Sequence, residues 1–126
     1  MNVNGREIGV RRTVLANCKL TEAAPDRDIR RFFTELIASP DYVVAQKAAA
    51  QLIAALNEGY EQYLHFQDPE HKPEPVNAET LLSLDEATFN ALYQEALKAY
   101  TEDGKTTVEV APPKGKKTVK KRGAST

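Results

Sequence analysis

The chain has one cysteine, Cys18, among its 126 residues, so no internal disulfide can staple the fold, which fits a reducing compartment. Long apolar runs are missing as well: nothing approaches the ~20 residues of a membrane span. The first residues, MNVNGREIGVRR, lack the apolar core of a signal peptide, so the cytoplasm is the expected location. No glycine-rich phosphate loop, serine nucleophile elbow or paired-carboxylate signature is present, so no catalytic constellation is expected. With 41% apolar and 28% charged residues, the composition is that of a globular protein, and the length suits one domain with a modest core.

The net charge of −1 conceals an asymmetry. Residues 112–126 carry six cations (Lys114, Lys116, Lys117, Lys120, Lys121, Arg122) and no acid. Taking those six from the seventeen Lys and Arg leaves eleven against eighteen Asp and Glu, a formal −7 for residues 1–111. An acidic body with a basic tail is the most distinctive bulk property.

The chain is organised around Ser39 to Phe66, which reads as one helix about 40 Å long. Ser39 is the expected N-cap, Pro40 the first helical residue, and Asp41 sits at the positive end of the dipole. Ala45, Ala48, Ala49, Leu52, Leu56, Tyr60 and Tyr63 recur at three- and four-residue steps. Val44, Ile53 and Leu64 broaden that face, which predicts neighbours on more than one side. Gly59 costs about 1 kcal/mol relative to alanine inside a helix, and marks close packing or a bend.

Before this helix, Asn4-Gly5 is a two-residue turn signal, with Val3 before it and Ile8 and Val10 after it. A small β-ribbon over 1–12, docked on helices, is expected. Thr13 to Ala24 reads as a helix with Val14, Leu15 and Cys18 on its apolar side and Pro25 as the stop. Asp26 is the expected cap of the next helix, whose Ile29, Phe32, Phe33, Leu36 and Ile37 should pack on the long one. Three prolines in 67–75 (QDPEHKPEP) exclude regular structure. Asn77 caps a short helix through Leu82. Asp85 caps the last one, with Leu84 and Phe89 as a hydrophobic staple and Phe89, Leu92, Tyr93, Ala96, Leu97 and Tyr100 as the buried stripe. Asp103-Gly104 closes it. The expectation is a mainly α domain over 1–104, about five helices around one long central helix, followed by a flexible basic tail over 105–126, where TTVEV can add a brief strand to the ribbon.

Four groups in the proline loop, His65, Asp68, Glu70 and His71, are metal-ligand types within seven residues, but an exposed proline loop more often leaves such groups solvated. No metal or cofactor is expected. Cys18 lies on an apolar helix side, where a free thiol behaves as a small hydrophobe rather than a nucleophile. Tyr60, Tyr63 and Phe66 gather three aromatics near a helix end. Core packing is the simpler account; an exposed patch would mark a protein-binding site. The basic tail can neutralise nucleic-acid phosphates, yet it has no aromatic residue to stack on bases and the acidic body would repel DNA.

Several stretches resemble tail assembly chaperones of long-tailed bacteriophages: TVLANCKLTE (13–22), the acidic entry to the second helix, ALNEGYEQYLHF (55–66), the proline loop, and LLSLDEATFNALYQEALKAY (81–100) followed by KTTVEV. The similarity covers about residues 3–110 and carries no catalytic motif. It implies a small, mainly helical, non-enzymatic protein of the infected host's cytoplasm, which binds the tape measure protein and helps recruit tail tube subunits. It also implies a second, longer product made by programmed frameshifting. The only adjacent lysine pairs, Lys116-Lys117 and Lys120-Lys121, would suit a ribosomal slip. The alternative is a small DNA-associating regulatory or architectural protein using the basic tail. Self-association is left open.

Overall fold

The computed structural model describes residues 1–103. The expected strand at TTVEV and the basic tail lie outside the described residues.

Asn4 and Gly5 both take positive φ (53° and 86°), the conformation a tight two-residue hairpin turn requires. They join β1 (Asn2–Val3) to β2 (Arg6–Glu7), antiparallel with Asn2 opposite Glu7 and Val3 opposite Arg6. So short a ribbon cannot stand alone. Val3 and Ile8 are buried and anchor it on the helical core.

Helix α1 spans Val14–Ala23 and is capped by Thr13, whose Oγ1 accepts from the Ala16 amide at 3.1 Å. Its inward face is not the expected one. Ala16 and Leu20 are buried, whereas Val14 is 79% exposed and Cys18 is exposed. The Val14–Cys18 stripe lies two residues out of phase with Ala16–Leu20, so only one of the two can face α1's neighbour. That neighbour is the alanine-rich stretch of the long helix, and close approach places a small Ala16 there rather than the larger Val14.

Pro25–Arg27 forms a 3₁₀ turn in which Asp26 and Arg27 both have positive φ (54° and 55°). Asp26 therefore does not cap the next helix. Asp28 does, its Oδ1 accepting from the Arg30 amide at 3.0 Å, because Asp26 sits in a left-handed turn while Asp28 has the extended backbone a cap needs. Helix α2 (Ile29–Arg31) then widens into a π-helical turn over Phe32–Ile37, closed by the Ala38 amide reaching the Phe33 carbonyl at 3.1 Å. A regular 3.6-residue period was expected. The wider turn accompanies two adjacent phenylalanines with different destinations. Phe32 is fully buried, and Phe33 sits edge-on to it (centroids 5.4 Å) and against Tyr100 (4.9 Å).

The central helix α3 runs Tyr42–Gln67. Its cap is Asp41, whose Oδ1 accepts from the Val43 and Val44 amides at 2.9 and 3.2 Å. Ser39, the expected cap, instead accepts from the Asp41 amide at 3.0 Å, and Pro40 precedes the helix. The charged carboxylate at the positive helix end outcompetes the neutral hydroxyl. Ala48, Ala49, Ala50, Leu52, Ile53, Ala55 and Leu56 are all buried, because α1, the π turn over Phe32–Ile37, a short α4 (Ala78–Leu81) and α5 (Glu86–Asp103) pack around α3.

Asn77 caps α4, accepting from the Thr80 amide at 2.8 Å, and Asp85 caps α5, accepting from the Thr88 amide at 3.0 Å. Leu84 packs against the core, Phe89 is buried, and Leu92 and Ala96 are fully buried on the expected stripe. Arg12 ties the two ends of the chain's helical body together: it donates to the Tyr100 carbonyl at 2.8 Å and lies 3.9 Å over the Tyr100 ring.

Candidate functional site

Three polar residues, Asn57, Glu61 and His65, follow one another at four-residue steps along α3, so they lie on one stripe of the helix. Each holds part of the proline loop. Asn57, 1% exposed, accepts from the Val76 amide through Oδ1 and donates through Nδ2 to the Gly9 carbonyl, both at 2.8 Å. The backbone partners dictate that orientation, because an amide N–H can only donate and a carbonyl can only accept. Glu61, also buried, accepts on Oε1 from the Glu74 amide at 3.1 Å and from His71 Nε2 at 2.8 Å. His65 donates from Nδ1 to the His71 carbonyl at 2.7 Å. Arg6 of β2 donates to the Glu74 carbonyl from the other side.

The N-terminal segment is seated just as closely. Gly9 lies so near the Tyr60 ring that a Cβ there would overlap it. Gly59 likewise has no room for a Cβ, which would collide with Thr13 Oγ1 and stand 3.2 Å from the Arg11 carbonyl. The Arg11 amide donates to the Leu56 carbonyl at 3.0 Å. Gly59 thus marks close packing.

Between α1, α3 and the end of the proline loop runs an open groove of about 340 Å³. Its apolar lining comes from Leu20 and Ala23 of α1, Ala54 and Ala55 of α3, and Pro75, Val76 and Ala78. Lys19 and Glu58 also line it and pair at 3.1 Å. Both partners are part-exposed, so the pair contributes at most about 1 kcal/mol and can open. The volume lies at the lower end of the range of about 300–1,000 Å³ common for binding pockets, room for apolar anchor side chains of a partner. Val76 belongs to both features: its side chain lines the groove and its amide is held by Asn57.

The three candidate partner-binding aromatics, for which core packing was the simpler account, are separated by their environments. Tyr60 is half-buried on Gly9, and Tyr63 is half-buried beneath the Arg11 guanidinium at 3.9 Å, its hydroxyl accepting from Gln67 Nε2 at 2.7 Å. Phe66 alone stands out, 86% exposed. Of the four loop groups, His65 and His71 are engaged as described, and Asp68 Oδ1 accepts from the Glu70 amide at 3.1 Å. Among the described residues no three His, Cys, Asp or Glu side chains gather as a metal site. Cys18 is exposed on α1.

Asn57 and Glu61 are the residues that sequence reasoning missed. A signal existed: Asn57 follows Ile53 by four residues and precedes Leu64 by seven, an apolar-face position where an amide is out of place unless buried and bonded.

Comparison of the chain with protein-family models, with curated proteins and with solved structures gives no match in any of the three. Among the described residues, no helix is long and apolar enough to cross a membrane.

Proposed function

We propose that this protein is a tail assembly chaperone of a long-tailed phage, acting in the host bacterial cytoplasm as a binding protein rather than a catalyst. The observation that carries the reading is the open apolar groove beside α3, in a helical body whose sequence resembles such chaperones over about residues 3–110. A groove between two helices is a recurrent way to hold an amphipathic helix from another chain. The tape measure protein is the proposed client, and tail tube protein the subunit recruited to it.

The reading requires a long tape measure gene beside this one, and co-expression of the two products tests it. The two proteins should co-purify, and Ala23→Phe, which fills the groove from an exposed position, should abolish co-purification without unfolding the body. Phe66→Ala provides a second arm: loss of about 2 kcal/mol or more of binding would make Phe66 an anchor. A stably folded protein that never associates with the tape measure protein would refute the proposal. The longer frameshift product requires a slippery heptamer at Lys116-Lys117 or Lys120-Lys121 with an open overlapping frame behind it. Synonymous recoding of that pair should remove the longer product and spare the short one.

A further inference from the structure

Resting on the helix-binding reading, the charge around the groove narrows the kind of helix it takes. Each wall carries a carboxylate next in sequence to a lining residue: Glu22 precedes Ala23 on α1, Glu74 precedes Pro75 in the loop, and Glu79 follows Ala78 on α4. All three are exposed, and among the described residues none has an ion-pair partner. The one cation in the lining, Lys19, is already neutralised by Glu58. Lys47, the nearest other cation on α3, lies a full turn beyond Gln51, where the lining ends. The floor is apolar, and the lining is flanked in sequence by an exposed carboxylate on each of three segments; the Arg6 guanidinium, which donates to the Glu74 carbonyl, is a further cation held beside them.

We infer that the groove receives a basic amphipathic helix of a partner protein, its apolar face on Leu20, Ala54 and Val76 and its flanking Lys or Arg opposite Glu22, Glu74 and Glu79. Apolar burial supplies most of the affinity, and the carboxylates select the charge of the client and speed its approach. The chain's own basic residues at 114–122 are poor occupants, because that stretch offers only Val119 as an apolar anchor.

The test uses the full-length protein and three labelled peptides of about 18 residues, five helical turns. All share a Leu and Ala face; the polar face is Lys in one, Gln in the second and Glu in the third. Fluorescence anisotropy should rank them Lys, Gln, Glu in falling affinity, with binding of the Lys peptide weakening as salt rises. Replacing Glu22, Glu74 and Glu79 together by Gln should weaken the Lys peptide about tenfold and leave the Gln peptide unchanged. Ala23→Phe should abolish both. Equal binding of the Lys and Glu peptides would overturn the inference while leaving a helix-binding groove intact. If none of the peptides binds, the inference and the helix-binding reading fall together. If changing the six cations of 112–126 to Gln tightens the Lys peptide about tenfold, the assignment to a partner is overturned, because the chain's own basic segment then occupies the rim.

Discussion

The side chain of Asn57 bridges Gly9 and Val76, residues 67 positions apart in sequence, with two hydrogen bonds of 2.8 Å in a site 1% exposed. One amide on the central helix therefore joins the N-terminal segment to the segment that walls the groove. Asn57→Ala would leave the Gly9 carbonyl and the Val76 amide buried and unpaired, at a cost of about 2–4 kcal/mol. Thermal unfolding should show the midpoint fall by about 10–20 °C. Asn57→Asp should not rescue it, since a carboxylate cannot donate to the carbonyl. A shift of a degree or two would mean that water replaces the amide.

Gly59→Ala should destabilise despite alanine's advantage of about 1 kcal/mol in helix propensity. The new methyl meets Thr13 Oγ1, which is committed to capping α1, and the Arg11 carbonyl, which is held by the neighbouring Arg11–Leu56 hydrogen bond. Neither can retreat freely, and overpacking of this kind costs about 1–3 kcal/mol. Chemical denaturation of the variant should give a lower midpoint at unchanged slope. A higher midpoint would show that the α1 entry yields.

Arg27→Gly should act in the opposite direction. Arg27 is exposed, has φ of 55°, and has no ion-pair partner among the described residues. A non-glycine residue in that region carries roughly 1–2 kcal/mol of steric cost, and glycine's greater unfolded entropy takes back only part of the relief. A midpoint raised by a few degrees is expected. No gain, or a loss, would show that the turn is not strained at Arg27.

Acid sensitivity should be traceable to the helix cap at Asp85. Hydrogen bonding from Thr88 holds the Asp85 carboxyl below its ordinary value of 3.8. A carboxyl lowered on folding stabilises the protein above its unfolded pKa, and that contribution is lost as pH falls from about 4 through the lower folded value. Asp85→Asn keeps an acceptor at the cap but does not titrate, so its midpoint should fall less steeply below pH 4 than that of the parent. Identical acid limbs would assign the sensitivity to other carboxylates, Asp28 first, whose pKa is lowered chiefly by its hydrogen bond from Arg30.

Local signals stated within a few residues of one another were legible directly. The Asn4-Gly5 turn, the Asn77 and Asp85 caps and the presence of one long central helix all stand as read, though α3 starts at Tyr42 rather than Pro40. The caps at Asp28 and Asp41 were each misplaced by two residues, because several polar residues competed and only the backbone conformation chose between them. The groove was not legible at all: its lining comes from three separated stretches, and no single one announces a cavity.

The sequence by itself determined that this chain is helical, with α3 at its centre, since hydrophobic period, caps and prolines act over a turn or two of backbone. Tertiary structure alone decided which face of α1 is buried, where α2 widens into a π turn, and that Asn57, Glu61 and His65 hold the proline loop. Those outcomes depend on partners beyond the helical turn that each residue belongs to, from six residues away for His65 and His71 to 48 for Asn57 and Gly9. The small Ala16 wins over Val14 because α1 lies close against α3. A buried amide on an apolar face is tolerated because folding brings Gly9 and Val76 within hydrogen-bonding reach of it.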